Sequence, residues 1–354
     1  MSRFLSKRYN TIEEYVPGEQ PQDKKYIKLN TNESPYPPSE SVIRAIDGAQ
    51  LSNLRLYSDP DSRNLKNAVA QYYGVKSENV FVSNGSDETL NFFFAAFCDS
   101  EKKVAFPDIS YGFYKVFADL YGIDYIQIPL GSDFKINVDD YINIGRNICI
   151  ANPNAPTGLA LGLDDIEKIV KSNPDYIVLI DEAYVDFGAQ SAVDLTRKYK
   201  NLVVVQTFSK SRSLAGARLG FAIADSELIC DFEKIKFSTN PYNVNRLTQI
   251  AGVCSIRDRE YFEKTRNEII KTREYTLCEL KKLGFFVTDS CANFVFAKNS
   301  KISGERLYKE LKQRGILVRH FSDKKICEFN RITIGTQEQM QILISEIRKI
   351  LEGI

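Results

Sequence analysis

Two nearly unbroken apolar runs, Tyr176-Ile-Val-Leu-Ile180 and Leu202-Val-Val-Val-Gln-Thr-Phe208, restrict this chain more than any other feature. A strand apolar at consecutive positions must be covered on both faces, as in the middle of a parallel sheet flanked by helices. Further short apolar runs lie at Val80-Phe-Val82, Lys103-Val-Ala-Phe106, Tyr125-Ile-Gln-Ile128 and Asn147-Ile-Cys-Ile-Ala151. Helical spacing occurs at about 39–50, 62–73, 86–98 and 164–172. This alternation predicts an α/β domain with a mainly parallel sheet.

From about residue 255 the texture changes. A long charged helix is expected from Arg257 to Leu283, then strands at Phe285–Val287 and Asn293–Ala297 and a helix at about 304–314. Strands at Ile316–Arg319 and Arg331–Ile334 and a helix at 337–352 complete a smaller α+β unit. The expected division is an arm at 1–30, a large domain at 31–252 and a small domain at 253–354. A chain of 354 residues, 43% hydrophobic, can bury the cores of two domains.

Lys and Arg number 47 against 46 Asp and Glu, a net charge of +1 that gives no electrostatic reason to expect nucleic-acid or membrane binding. No apolar run reaches membrane-spanning length, and Met1–Arg8 has no apolar leader core, so a cytoplasmic location is expected. The seven cysteines form no CxxC pair and are expected to be reduced, buried thiols. His320 is the single histidine, which excludes a multi-histidine metal site.

The chemistry concentrates at strand ends, where open α/β sheets bind ligands. Lys210 follows the run ending at Phe208, and Asp181 ends the preceding one. A lysine that loses its proton can form a Schiff base with an aldehyde, and a carboxylate can keep a pyridine nitrogen protonated. Tyr184 can donate a hydrogen bond to the ring's phenolic oxygen. Arg218, Ser209 and Thr207 suit a phosphate. Val82-Ser-Asn-Gly-Ser-Asp-Glu88 opens a helix whose first amides, at Ser86 and Asp87, could bind the same anion, although Ser86 with Thr89 also reads as a simple cap. Tyr111 could stack on a ring. Singly, Lys210 could be a solvated lysine and Asp181 a turn cap; their combination points to pyridoxal 5'-phosphate.

These motifs resemble the fold-type-I pyridoxal-phosphate aminotransferases of classes I and II, nearly end to end. Asn152-Pro-Asn-Ala-Pro-Thr-Gly158, Asp181-Glu-Ala-Tyr184, Ser209-Lys210 and Leu214-Ala-Gly-Ala-Arg-Leu-Gly220 stand in family order. Within that family the chain is most similar to the histidinol-phosphate aminotransferases. That likeness rests on Tyr15-Val-Pro-Gly18, Leu29-Asn-Thr-Asn-Glu33, Tyr57 with Pro60-Asp61, Asn84-Gly-Ser-Asp-Glu88, Ile316-Leu-Val-Arg319 and Arg331-Ile-Thr-Ile-Gly335.

The resemblance implies a large domain with a seven-stranded sheet. It implies Lys210 as Schiff-base lysine and proton shuttle, Asp181 at the pyridine nitrogen, Tyr184 at the phenolic oxygen and Tyr111 on the ring. It further implies a homodimer with shared active sites, in which Tyr57 reaches the neighbouring subunit's cofactor phosphate. Tyr15, Asn32, Arg319 and Arg331 would line the substrate pocket, for an amino donor and a 2-oxo acid acceptor. Related activities on the same scaffold are an aromatic or broad-specificity aminotransferase and a threonine-phosphate decarboxylase. Ala155 stands where the family commonly has asparagine, so Asn154 is expected to supply the amide to the ring oxygen.

Overall fold

The computed structural model describes residues 2–6, 9 and 12–354; the rest of the expected arm (residues 1, 7, 8, 10 and 11) lies outside the described residues. Seven strands form the main sheet, in the spatial order 80–83, 220–224, 202–207, 178–181, 147–151, 104–107 and 125–128. Six run the same way; Gly220–Ala224 is antiparallel to both its neighbours. All residues of Asn147–Ala151, Val178–Asp181 and Leu202–Thr207 are buried.

The pleat sends alternate side chains to opposite faces. Ile148, Ile150, Val178, Ile180, Leu202 and Val204 pack with Leu65 and Val69 of helix Arg63–Tyr73 and Ile166 and Ile169 of helix Leu163–Ser172. Cys149, Leu179, Val203 and Val205 pack with Phe93 of helix Ser86–Phe97 and Phe117 of helix Phe113–Tyr121. Each buried aliphatic side chain contributes about 1.5–3 kcal/mol, so this double covering fixes the sheet from which the site is built.

The C-terminal unit has its own four-stranded antiparallel sheet, ordered 319–320, 330–333, 294–299 and 285–287. Helices Arg259–Lys282, Gly304–Gln313 and Gln337–Glu352 cover it, the last opened by a Thr336–Gln339 capping box. Ile27–Lys28 pairs in parallel with Ile316–Leu317, and Leu29 is buried in this unit's core. That pairing carries Thr31 and Asn32 to the junction of the two sheets.

Three features depart from the sequence reading. The helix expected from 257 to 283 is present as Arg259–Lys282, but a further helix that the sequence did not disclose, Arg246–Arg257, runs directly up to it. Asp258 separates them because its carboxylate accepts from the Tyr261 amide at 3.3 Å and caps the second. The run Ile316–Arg319 divides between two sheets. Of the cysteines expected to be buried, Cys230 and Cys278 are exposed on helix surfaces.

Candidate active site

The carboxyl ends of the parallel strands open into a cavity of about 370 Å³ lined by Ser86, Asp87, Tyr111, Asp181, Tyr184, Thr207, Ser209, Lys210 and Arg218. A second cavity of about 450 Å³ is lined by Tyr15, Asn30, Asn32, Arg319 and Arg331. The two share Thr31, Tyr111, Ala155, Tyr184 and Lys210, so they are compartments of one space.

Lys210 stands at their boundary. Its Nζ donates to the Thr31 carbonyl at 3.3 Å and lies 5.7 Å from the Tyr184 ring centroid. Asp181 is 4% exposed. Its Oδ2 accepts from the Tyr114 hydroxyl at 2.9 Å and its Oδ1 from the Ala183 amide at 3.3 Å. Burial dominates its titration and pushes the carboxyl up to about 6, against partial relief from Tyr114.

The displacement from the ordinary 3.8 to about 6 corresponds to about 3 kcal/mol. The folded chain holds this proton to higher pH than the unfolded chain does. The stabilisation is therefore complete below about pH 4 and lost as pH rises through about 6. Asp181→Asn is expected to raise the melting temperature of the cofactor-free protein by about 2–4 °C at pH 8 and to change it little at pH 4. Equal shifts at both pH values in a calorimetric scan would contradict this.

The Arg218 end of the first cavity is shaped by backbone. The helix beginning at Ser86 is entered through Gly85 at φ 78°, with no side-chain cap, so the capping alternative for Ser86 does not hold. The Thr89 hydroxyl instead donates to Ser83 Oγ at 2.7 Å. First-turn amides lack intrahelical acceptors and favour an anion. A Cβ on Gly85 would lie 2.6 Å from Arg218 Nη2, and one on Gly220 would lie 2.5 Å from the Ser86 nitrogen. Arg218 Nη2 donates to Asp87 Oδ2 at 2.9 Å, and the Tyr111 hydroxyl donates to Asp87 Oδ1 at 2.7 Å. Thr207 Oγ1 donates to Ser209 Oγ at 2.9 Å.

Tyr184 and Asn32 are joined, the Asn32 amide donating to the Tyr184 hydroxyl oxygen at 2.9 Å. Asn32, at φ 57°, is itself held by Thr333 and by Asn293. Arg331 Nη2 donates to the Asn30 carbonyl at 3.0 Å, and its Nε is buried without a partner among the described residues. Arg319 donates to the Pro17 and Val16 carbonyls, each at 3.0 Å, tying the arm across the second cavity. Tyr15 stacks on Phe113 at 4.2 Å and meets Tyr111 edge-on at 6.2 Å.

Of the residues expected at the site, Asn154 stands apart from this space, and Tyr57 is expected at a neighbouring subunit's site instead. Asn154 lines neither cavity. Its amide donates to the Ile109 carbonyl at 2.9 Å and to Thr157 at 3.2 Å, while its oxygen accepts from Ser110 at 2.8 Å. Its donors and acceptor are thus engaged within the fold, while Ala155 lines both cavities. Tyr57 is 78% exposed and stacks on Tyr242 at 4.4 Å.

Tyr114 is the functional neighbour that the sequence reading lacked. It reaches Asp181 only because strand 147–151 lies between 104–107 and 178–181, an order no local spacing encodes. Its nearness in sequence to Tyr111, which precedes helix Phe113–Tyr121 by two residues, was the available signal.

A family model described as "Aminotransferase class I and II" matches residues 24–347. The histidinol-phosphate aminotransferase of Brachyspira hyodysenteriae is 52% identical over 354 residues, covering 100% of both chains. That of Clostridium acetobutylicum is 48% identical, covering 99% of this chain and 100% of its own. The solved histidinol-phosphate aminotransferase of Sinorhizobium meliloti, in complex with pyridoxal-5'-phosphate, superposes with a TM-score of 0.86 at 22% identity, over 93% of this chain and 92% of that one. On a family match spanning both sheets and relatives similar from end to end, this chain belongs to the class I and II aminotransferases.

Proposed function

We propose that this aminotransferase holds pyridoxal 5'-phosphate in the first cavity. It would exchange the amino group between histidinol phosphate and 2-oxoglutarate, giving imidazole-acetol phosphate and glutamate. The observation that carries this reading is the pair of joined compartments. Lys210 and Tyr184 stand at their boundary, a buried acid and an anion cradle lie on one side, and two arginines lie on the other. The full-length relatives named for that activity support the substrate pair.

The glycine cradle fits the cofactor, since a side chain at Gly85 or Gly220 would fill the anion end. When bound, the cofactor supplies an aldehyde for a lysine and a ring that accepts the electrons of a breaking bond. Arg218, Ser209, Thr207 and the amides of Ser86 and Asp87 would hold its phosphate. Asp181 would hold a proton on the ring nitrogen, and Tyr111 would cover a ring face. Because Tyr184 accepts from Asn32, its own O–H remains to donate to the phenolic oxygen. Lys210 Nζ would be the base that takes up the substrate α-proton and gives it back.

Arg331, with a donor still unpaired, takes the anionic end of either substrate. Arg331→Ala is expected to raise KM for histidinol phosphate and glutamate about 100-fold or more, with a smaller change in kcat. Unchanged KM values would remove Arg331 from the substrate site.

The reading includes a cytoplasmic homodimer. Seven free thiols suit a reducing compartment. Tyr57 stands outward beside the exposed Leu54 and Leu56. Its loop is pinned by Arg246 to the Tyr57 carbonyl, Gln249 to that of Asp59 and Lys236 to that of Pro60, which suits a residue acting in a second copy's site.

The deciding experiment is a set of half-reactions followed by cofactor absorbance. Histidinol phosphate and glutamate are expected to convert the cofactor to its aminated form. Carbon dioxide release from threonine phosphate, or conversion by phenylalanine alone, would overturn the substrate assignment.

A further inference from the structure

Every residue around Lys210 is tethered. The Ser209 amide donates to Thr207 Oγ1 at 3.1 Å. The Ser211 hydroxyl, on a residue 3% exposed, donates to Asp186 Oδ2 at 2.5 Å. Arg212 donates to the Ser255 carbonyl at 2.8 Å, with its guanidinium 4.0 Å from the Phe262 ring centroid. Ser213, at φ 57°, bonds Ser34 at 2.9 Å.

Among these tethers the Ser211 bond ends on a carboxylate. Hydroxyl–carboxylate bonds are short and roughly twice as strong as neutral ones. Asp186 lies on the turn Val185–Phe187, between side chains 4% and 0% exposed, so its position is fixed by the core. The same turn follows Asp181 and Tyr184 directly. The Asp186–Ser211 bond therefore locks the loop carrying the ring-facing acid to the loop carrying the amine.

We propose that Asp186, acting through Ser211, is a positioning residue that sets where the Lys210 amine stands relative to Asp181 and Tyr184. This rests on the pyridoxal-phosphate reading above. A misplacement of about 1 Å at a reacting atom can cost about 100-fold in rate. A lysine side chain has four rotatable bonds and cannot itself enforce that precision, so the loop must.

The test uses cofactor-free full-length protein mixed with pyridoxal 5'-phosphate. The Lys210 ammonium and the aldehyde give a protonated C=N bond and one water, and the visible band reports its formation. Pyridoxine 5'-phosphate, an alcohol that cannot form this bond, is titrated in parallel by calorimetry. Ser211→Ala and Asp186→Ala are each expected to slow band formation about tenfold or more. Their affinity for the alcohol should stay within about twofold of the parent, and the double variant should be no slower than the slower single one. Ser211→Thr, which keeps the hydroxyl, should load at the parent rate.

Parent-like loading by both alanine variants, strictly additive slowing in the double variant, or equal losses of loading rate and alcohol affinity would each overturn the proposal. A parent protein that forms no visible band at all would instead bring down the cofactor reading, and this inference with it.

Discussion

Lys210→Ala is expected to lower kcat by more than about 10⁴-fold, because in the proposed mechanism one substitution removes both the covalent partner and the proton shuttle. Among the described residues, Lys210 is the one amine lining either compartment, and no histidine lines them. The other cationic side chains that line them are arginine guanidinium groups, which do not form the C=N bond, so none replaces the covalent partner. The Arg218 end of the cavity is untouched by the change, so the variant should still take up the cofactor. Steady-state turnover with histidinol phosphate and 2-oxoglutarate reads the loss. Activity within about tenfold of the parent would place the reactive amine elsewhere.

Asp181→Ala is expected to cost about 10³-fold or more in kcat. The mechanism asks this carboxylate to pair with a protonated ring nitrogen, an electrostatic contribution greatest in a site shielded from water. The buried Tyr114 hydroxyl supplies one hydrogen bond to Asp181 but cannot replace a charge. The cofactor-free protein tolerates the carboxylate poorly, since burial raises its pKa to about 6. On the proposed reading the same residue therefore weakens the empty fold and serves the chemistry, a trade between stability and activity. A variant with unimpaired kcat would show that the ring is protonated by another group.

Much of the scaffold was legible. Asn147–Ala151 and Gln337–Glu352 fall where apolar periodicity placed them. Their patterns are local, so tertiary context had little to override. Strand Gly220–Ala224 and helices Phe113–Tyr121 and Ser226–Thr239 were not read. The strand follows the irregular segment around Arg218 and runs against its neighbours, so the strand–helix alternation gave no cue to it.

At the site, residues at strand ends were readable because the strand itself aims them. Residues whose meaning depends on which strands are neighbours, such as Tyr114 and Asp186, were not. Asn154 stands apart from the cavities for a related reason. A loop asparagine has several backbone groups within reach, and the side chain's choice among them is invisible in the one-dimensional string.

The grip of Arg319 on the arm has a consequence for variation. It takes hold of peptide oxygens at Val16 and Pro17, and every amino acid carries that oxygen. Side chains there can be exchanged freely while the strap stays fastened, so the rim over the second compartment can acquire new selectivity one replacement at a time without surrendering its closure.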